Sequence, residues 1–185
     1  MVVFSAGLDL SGKQENPSGL VVLGFDNSRI DLLFLGSLFK DSEILEKILE
    51  YRVNIVAIDA PLTKQSSSQH FRRVDLKIKK MEFNVLPLTW RGMNILVERA
   101  ISIAEKLRSS GVLVIETHPL SSLKSSSCRS VYELAGKHGL NLPSSISKHE
   151  GDAFIAGLTG IYYYLGRAVV VRDVDGEIVL LPRIC

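Results

Sequence analysis

Three stretches of the chain run almost wholly apolar and stop on a carboxylate: Val2 to Leu8 before Asp9, Val53 to Ile58 before Asp59, and Val112 to Ile115 before Glu116. Such runs, bounded by turn formers, predict strands buried on both faces in the middle of a sheet. Two further strand-like runs, Gly19 to Phe25 and Arg29 to Leu35, flank Asp26-Asn27-Ser28, so the chain opens as a three-strand meander. The apolar period then changes. Ile44, Leu45, Ile48 and Leu49 mark a helix from an Asp41 N-cap to about Tyr51, and Phe71, Val74, Ile78 and Met81 mark another over 69–83. A longer one from about Gly92 turns Met93, Val97, Ala100, Ala104 and Leu107 inward and stops at Gly111. Ser121 to Ser130 reads as a serine-rich loop. Ser130 with Glu133, and Ser147 with Glu150, are capping boxes that start two more helices. Residues 168–172 and 177–181, joined through Asp175-Gly176, read as a terminal hairpin.

This order describes an α/β mixed sheet in which the first, fourth and fifth strands run parallel through helical crossovers. Their acidic ends then share one edge, the edge where open α/β sheets bind ligands. At 185 residues and 46% hydrophobic content the chain has enough apolar material for one sizeable core, so residues 1–185 are expected to form a single domain. The formal charge of +2 leaves any attraction to nucleic acid to local clusters of basic residues. Cys128 and Cys185 have no metal-ligand spacing and read as two incidental thiols, which with the absence of a leader or a bilayer-length apolar run suggests a soluble cytoplasmic protein.

Neighbouring strands lie about 4.7–4.9 Å apart, so Asp9 and Asp59 on adjacent parallel strands can share divalent ions. Hard oxygen ligands suit Mg²⁺ or Mn²⁺, and an ion pair in such a site stabilises the attacking and leaving oxygens of a phosphodiester. Asp152 is the next candidate. The small residues Ala153, Ala156, Gly157 and Gly160 would let its helix press against the sheet and bring its carboxylate to the strand ends. Taken singly, each acid also reads as a turn former, a loop ion pair or a surface group. The loops leaving the acidic edge carry Lys64, Arg72 and Arg73 after Asp59 and Lys124 after Glu116, while Lys13 follows Asp9; basic groups beside carboxylates suit a metal-bound polyanion. Arg73 and Asp75 equally suit a structural ion pair. His118 and His149 can orient water, although a turn residue and a pre-helix polar residue are the plainer readings, and Trp90 and Tyr162 to Tyr164 read as packing rather than base-stacking groups.

Gly7-Leu8-Asp9, Ile58-Asp59-Ala60-Pro61, Arg73 with Asp75, Glu116-Thr117-His118-Pro119 and Gly151-Asp152-Ala153 resemble, in order along nearly the whole chain, the motifs of domain of unknown function 429, a family of predicted nucleases. The resemblance implies a ribonuclease H-like fold: a five-stranded sheet of order 3-2-1-4-5 with helices on both faces, here with an extra C-terminal hairpin. It also implies that Asp9, Asp59 and Asp152 match the superfamily's metal-binding aspartates, with Glu116 and His118 matching the family's own motif. The helix after the third strand offers Glu43, Glu46 and Glu50 with nothing to single one out. The expected activity is metal-dependent hydrolysis of nucleic acid by Asp9, Asp59, Glu116 and Asp152, with Lys13, Lys64, Arg72, Arg73, His118 and Lys124 toward substrate. A non-catalytic nucleic-acid-binding module and a small-molecule phosphotransferase are the alternatives.

Overall fold

The computed structural model describes residues 2–64, 70–89 and 91–185, with the backbone alone at position 91. Along the chain stand β1 (Val3–Asp9), β2 (Ser18–Asp26), β3 (Arg29–Leu38), α1 (Asp41–Glu50), β4 (Ile55–Ile58), α2 (Arg73–Lys80), α3 (Arg91–Ser109), β5 (Leu113–Glu116), α4 (Pro119–Ser126), α5 (Val131–Lys137), α6 (Lys148–Tyr164), β6 (Val169–Asp173) and β7 (Gly176–Leu180). Five strands form one sheet in the order β3-β2-β1-β4-β5, and β6 and β7 form a separate hairpin. β1 pairs antiparallel with β2 and parallel with β4, which pairs parallel with β5. This is the expected sheet, and β1 lies at its centre, where a strand without polar alternation has to be.

Alternation along the strands divides the core. Ala6, Leu8, Leu20, Val22, Val56 and Ile58 pack with Ile44 and Ile48 of α1 and Ile103 and Leu107 of α3. On the other face Val21 and Leu23 meet Phe154 and Leu158 of α6, and Ile55, Ala57 and Ile115 meet Ala156. The second layer is unusually close. A Cβ at Gly7 would stand 2.0 Å from the Ala153 carbonyl oxygen and 2.1 Å from the Gly157 nitrogen, so only glycine lets the α6 backbone rest on β1. Ser5 Oγ donates to the Gly157 carbonyl at 2.7 Å and fixes the contact. The small-residue stripe therefore does what its spacing predicts.

Several details differ from the sequence reading. Lys40, one residue earlier than Asp41, is the N-cap of α1, because Glu43 accepts the Phe39 and Lys40 backbone N–H groups. The second helix is shorter than 69–83, spanning only Arg73–Lys80; its expected start at Gln69 lies outside the described residues, as does Trp90. The supposed serine-rich loop contains α4, whose Ser121, Ser122 and Ser126 are buried. Their hydroxyls are satisfied locally, as where Ser126 Oγ donates to the Leu123 carbonyl, so polarity does not keep this helix at the surface. Cys128 and Cys185 are not incidental thiols but a disulfide, with Cα atoms 5.1 Å apart. Their 57-residue separation in sequence concealed a contact that only the folded path of the C-terminal segment creates. No helix among the described residues is long and apolar enough to cross a membrane.

Candidate active site

β1 and β4 run in register, Leu8 opposite Ile58, and the Asp59 N–H donates to the Leu8 carbonyl at 2.8 Å. Asp9 and Asp59 thus leave adjacent strands at one level, and alternation assigns both to the face of Gly7 and Ala57, the face covered by α6. Ser147 caps α6 and its first turn carries Lys148, His149 and, one turn on, Asp152. Because α6 lies directly on β1, that turn arrives at the strand ends. Asp9, Asp59, Lys148, His149 and Asp152 line one cavity of about 260 Å³.

The electrostatics there are unfavourable to charge. Burial raises the Asp9 carboxyl above its ordinary value, partly offset by His149, whose Nδ1 donates to Asp9 Oδ2 at 2.7 Å. Asp59 is held well above the ordinary range by burial and then by the charges of Asp9, Asp152 and Glu116. Asp152 is pushed up to about 6 by burial and by Asp9. Among the described residues neither Asp59 nor Asp152 receives a side-chain hydrogen bond. Asp152 is buried and Asp59 half-buried, and carboxylates so placed without donors lack a partner that a cation would supply. The donors fit Mg²⁺ or Mn²⁺ in kind and in their want of partners, though not yet in spacing. No three His, Cys, Asp or Glu side chains among the described residues are gathered closely enough to hold an ion as they stand.

Glu116 lines the cavity but belongs to another row. It pairs across the sheet with Ile58, which pairs with Leu8, so it occupies the level and face of those core residues, one position before Asp9 and Asp59. Its Oε2 accepts the Leu62 N–H at 2.8 Å and Arg72 Nη1 at 2.9 Å, and its Oε1 accepts Arg72 Nη2. Arg72 is only 2% exposed. Its remaining donors go to Asp75 Oδ2 at 3.1 Å, Asp75 Oδ1 at 2.8 Å and Thr63 Oγ1 at 2.9 Å, so all five N–H groups are used. The cation paired with Asp75 is therefore Arg72 and not Arg73, and Arg72 has no donor left for an incoming phosphate.

The other basic residues have places of their own outside the lining. Lys13 is exposed in the loop after β1, and Lys64 reaches Glu98 at 3.7 Å. Arg73 lies 3.4 Å from Asp173, and Lys124 Nζ donates to the Glu82 carbonyl at 2.9 Å. None of these four is among the described residues lining the cavity. His118 does line it, with Nδ1 2.5 Å from Ser121 Oγ, and burial lowers its pKa. The residues that sequence reasoning undervalued are Lys148, the exposed cation of the lining, and His149. The spacing of His149 three positions before Asp152, on one helix face, was the available signal.

No family model and no curated protein matches the chain. Solved structures do. T. thermophilus RuvC in complex with a Holliday junction substrate aligns with a TM-score of 0.57 at 19% identity over 90% of this chain and 98% of that one. A second structure of Thermus thermophilus RuvC aligns at 0.56 and 18% identity, with the same coverage of 90% and 98%. At this identity the likeness is one of fold: the chain has a RuvC-like ribonuclease H fold with a C-terminal hairpin.

Proposed function

We propose that the chain is a divalent-metal-dependent phosphodiester hydrolase acting on nucleic acid, and that the resemblance to domain of unknown function 429 reflects membership of that family. The reading is carried by one observation: Asp9, Asp59 and Asp152 meet in a cavity at the carboxyl edge of the sheet, and the buried Asp152 and half-buried Asp59 have no side-chain hydrogen-bond donor among the described residues. Asp9, Asp59 and Asp152 would hold Mg²⁺ or Mn²⁺. Bound there, such an ion would supply positive charge for the phosphate oxygens and a more acidic water. His149 orients Asp9 through its 2.7 Å hydrogen bond. Glu116 assists by position, since with Arg72 it anchors the Leu62 N–H and so fixes the loop that follows Asp59. Lys148 at the cavity, with Lys13, Lys64, Arg73 and Lys124 outside its lining, would supply charge to a bound polyanion. His118, at the cavity wall, is available to a substrate edge. The Holliday junction held by the RuvC neighbour supports DNA, in particular branched DNA, as one substrate to try.

Asp9→Asn is expected to abolish Mn²⁺-dependent cleavage while leaving the circular-dichroism spectrum and melting transition cooperative; unchanged cleavage overturns the proposal. The present spacing of the acids favours a second reading, a non-catalytic nucleic-acid-binding module. That reading predicts salt-sensitive binding that survives both Asp9→Asn and chelation, together with no cleavage by the unaltered protein.

A further inference from the structure

The cavity has two unlike walls. Besides the carboxylates, the same cavity is lined by Val85 and Leu86 from the connection after α2, Met93 and Leu96 from α3, and Leu120 from α4. Leu86 is 52% exposed and Leu120 is 58% exposed, which sets them apart from core residues and gives a cavity that is acidic in one part an exposed apolar lining as well. Three separate elements contribute, so the surface is built by the fold and is not the stray face of one helix.

We propose that this wall is a subsite for a single unstacked nucleobase, so that the protein engages nucleic acid at an extrahelical or unpaired nucleotide. The inference rests on the phosphodiesterase reading of the acidic wall and adds the substrate class. A cavity of about 260 Å³ lies below the usual range of about 300–1,000 Å³ for sites that enclose a drug-sized ligand, so it excludes a duplex and leaves space on the scale of one nucleotide. A nucleotide whose phosphate reaches the carboxylate side presents its base to the apolar lining. In a stacked duplex that base is unavailable; turned out, it offers two apolar faces to the leucines and a polar edge to His118. Aliphatic side chains contact every base alike, so the apolar wall by itself selects for an unpaired base and not for its identity.

The test uses the full chain and three duplexes, each made in DNA and in RNA: one with an extrahelical 2-aminopurine nucleotide, one with an extrahelical abasic nucleotide, and one fully paired. Affinity is measured with Ca²⁺ in place of Mn²⁺, acrylamide quenching reports whether the bound 2-aminopurine is enclosed, and cleavage is measured separately in Mn²⁺. The base-bearing bulge is expected to bind about tenfold more tightly than the abasic one, with its fluorophore shielded. The exposed-site variant Leu86→Asn with Leu120→Asn is expected to bring the two affinities together. Equal affinity for both bulges, or a bound fluorophore as quenchable as the free one, overturns the subsite. Cleavage without preference for the base leaves the hydrolase standing and removes the subsite; preference without cleavage does the reverse. Failure to bind any of the duplexes removes both.

Discussion

Asp152 shows at the scale of one side chain what the acidic site costs the protein. It is 8% exposed, lies near Asp9, and has a carboxyl pKa of about 6 against an ordinary 3.8. A raised acid binds its proton more tightly in the folded state, so its contribution favours folding below pH 3.8 and is lost as pH rises through 6. At pH 7 the charge then destabilises the metal-free protein by about 3 kcal/mol. Asp152→Asn should accordingly raise the melting temperature of metal-free protein at pH 7 and flatten the decline between pH 4 and 7, with Asp9 and Asp59 supplying the slope that remains. Parallel pH profiles for the two proteins would show that Asp152 does not carry this penalty. Asp9, Asp59 and Asp152 were legible in the sequence because an apolar run ending in an acid, or a small-residue stripe beside one, is a pattern. The engagement of Arg72 was not, because adjacent arginines at the start of a helix look alike and only the fold decides which of them turns toward Asp75 and Glu116.

Between elements, the decisive contact is that of α6 with β1. Gly7→Ala would put a Cβ within 2.0–2.1 Å of backbone atoms of Ala153 and Gly157, and backbone cannot swing aside as a side chain can. Lifting the helix is the remaining response, with an expected loss of about 3–5 kcal/mol in chemical denaturation. Gly151 provides the internal contrast. It lies in the same helix, a Cβ there meets only side-chain atoms at 3.7 and 3.9 Å, and Gly151→Ala should gain about 0.5–1 kcal/mol from helix propensity. Similar effects at both positions would show that close approach does not hold α6. Sheet order and the major helices could be read from the sequence because hydrophobic period and capping residues are local signals. α4 could not, since it buries serines in place of aliphatic residues, and neither could the role of Gly7, whose partner lies 146 to 150 positions away in the chain.

Across the whole molecule, the C-terminal segment works as a strap. The β6–β7 turn carries Asp175, whose carboxylate accepts the Arg73 N–H and, at 3.1 Å, the Val74 N–H at the start of α2, while its carbonyl accepts Thr63 Oγ1 at 2.7 Å. β7 then passes β5, with Thr117 Oγ1 donating to the Val179 carbonyl at 2.7 Å, and beyond it the Ile184 and Cys185 N–H groups both donate to the Ser126 carbonyl at 2.9 Å. The disulfide from Cys185 to Cys128 closes the strap. The expectation of a cytoplasmic protein rested in part on those two thiols being incidental, and their pairing removes that part of its support. Closing a loop of 57 residues restricts the unfolded chain by about 4 kcal/mol. Cys185→Ser should therefore lower stability by about 2–4 kcal/mol, and the loss should not be uniform. With its far end released, the strap should fray from 181–185 inward, so hydrogen exchange should quicken first in β6 and β7 and next at the N-terminus of α2, where Asp175 holds two backbone donors. β1, whose hydrogen bonds lie on both sides within the sheet, should keep its protection. An equal loss in β1 and in the hairpin would mean that the disulfide acts only on the unfolded chain; exchange that quickens from the strap toward α2 would mean that it also secures the segment to which the loop after Asp59 is tied.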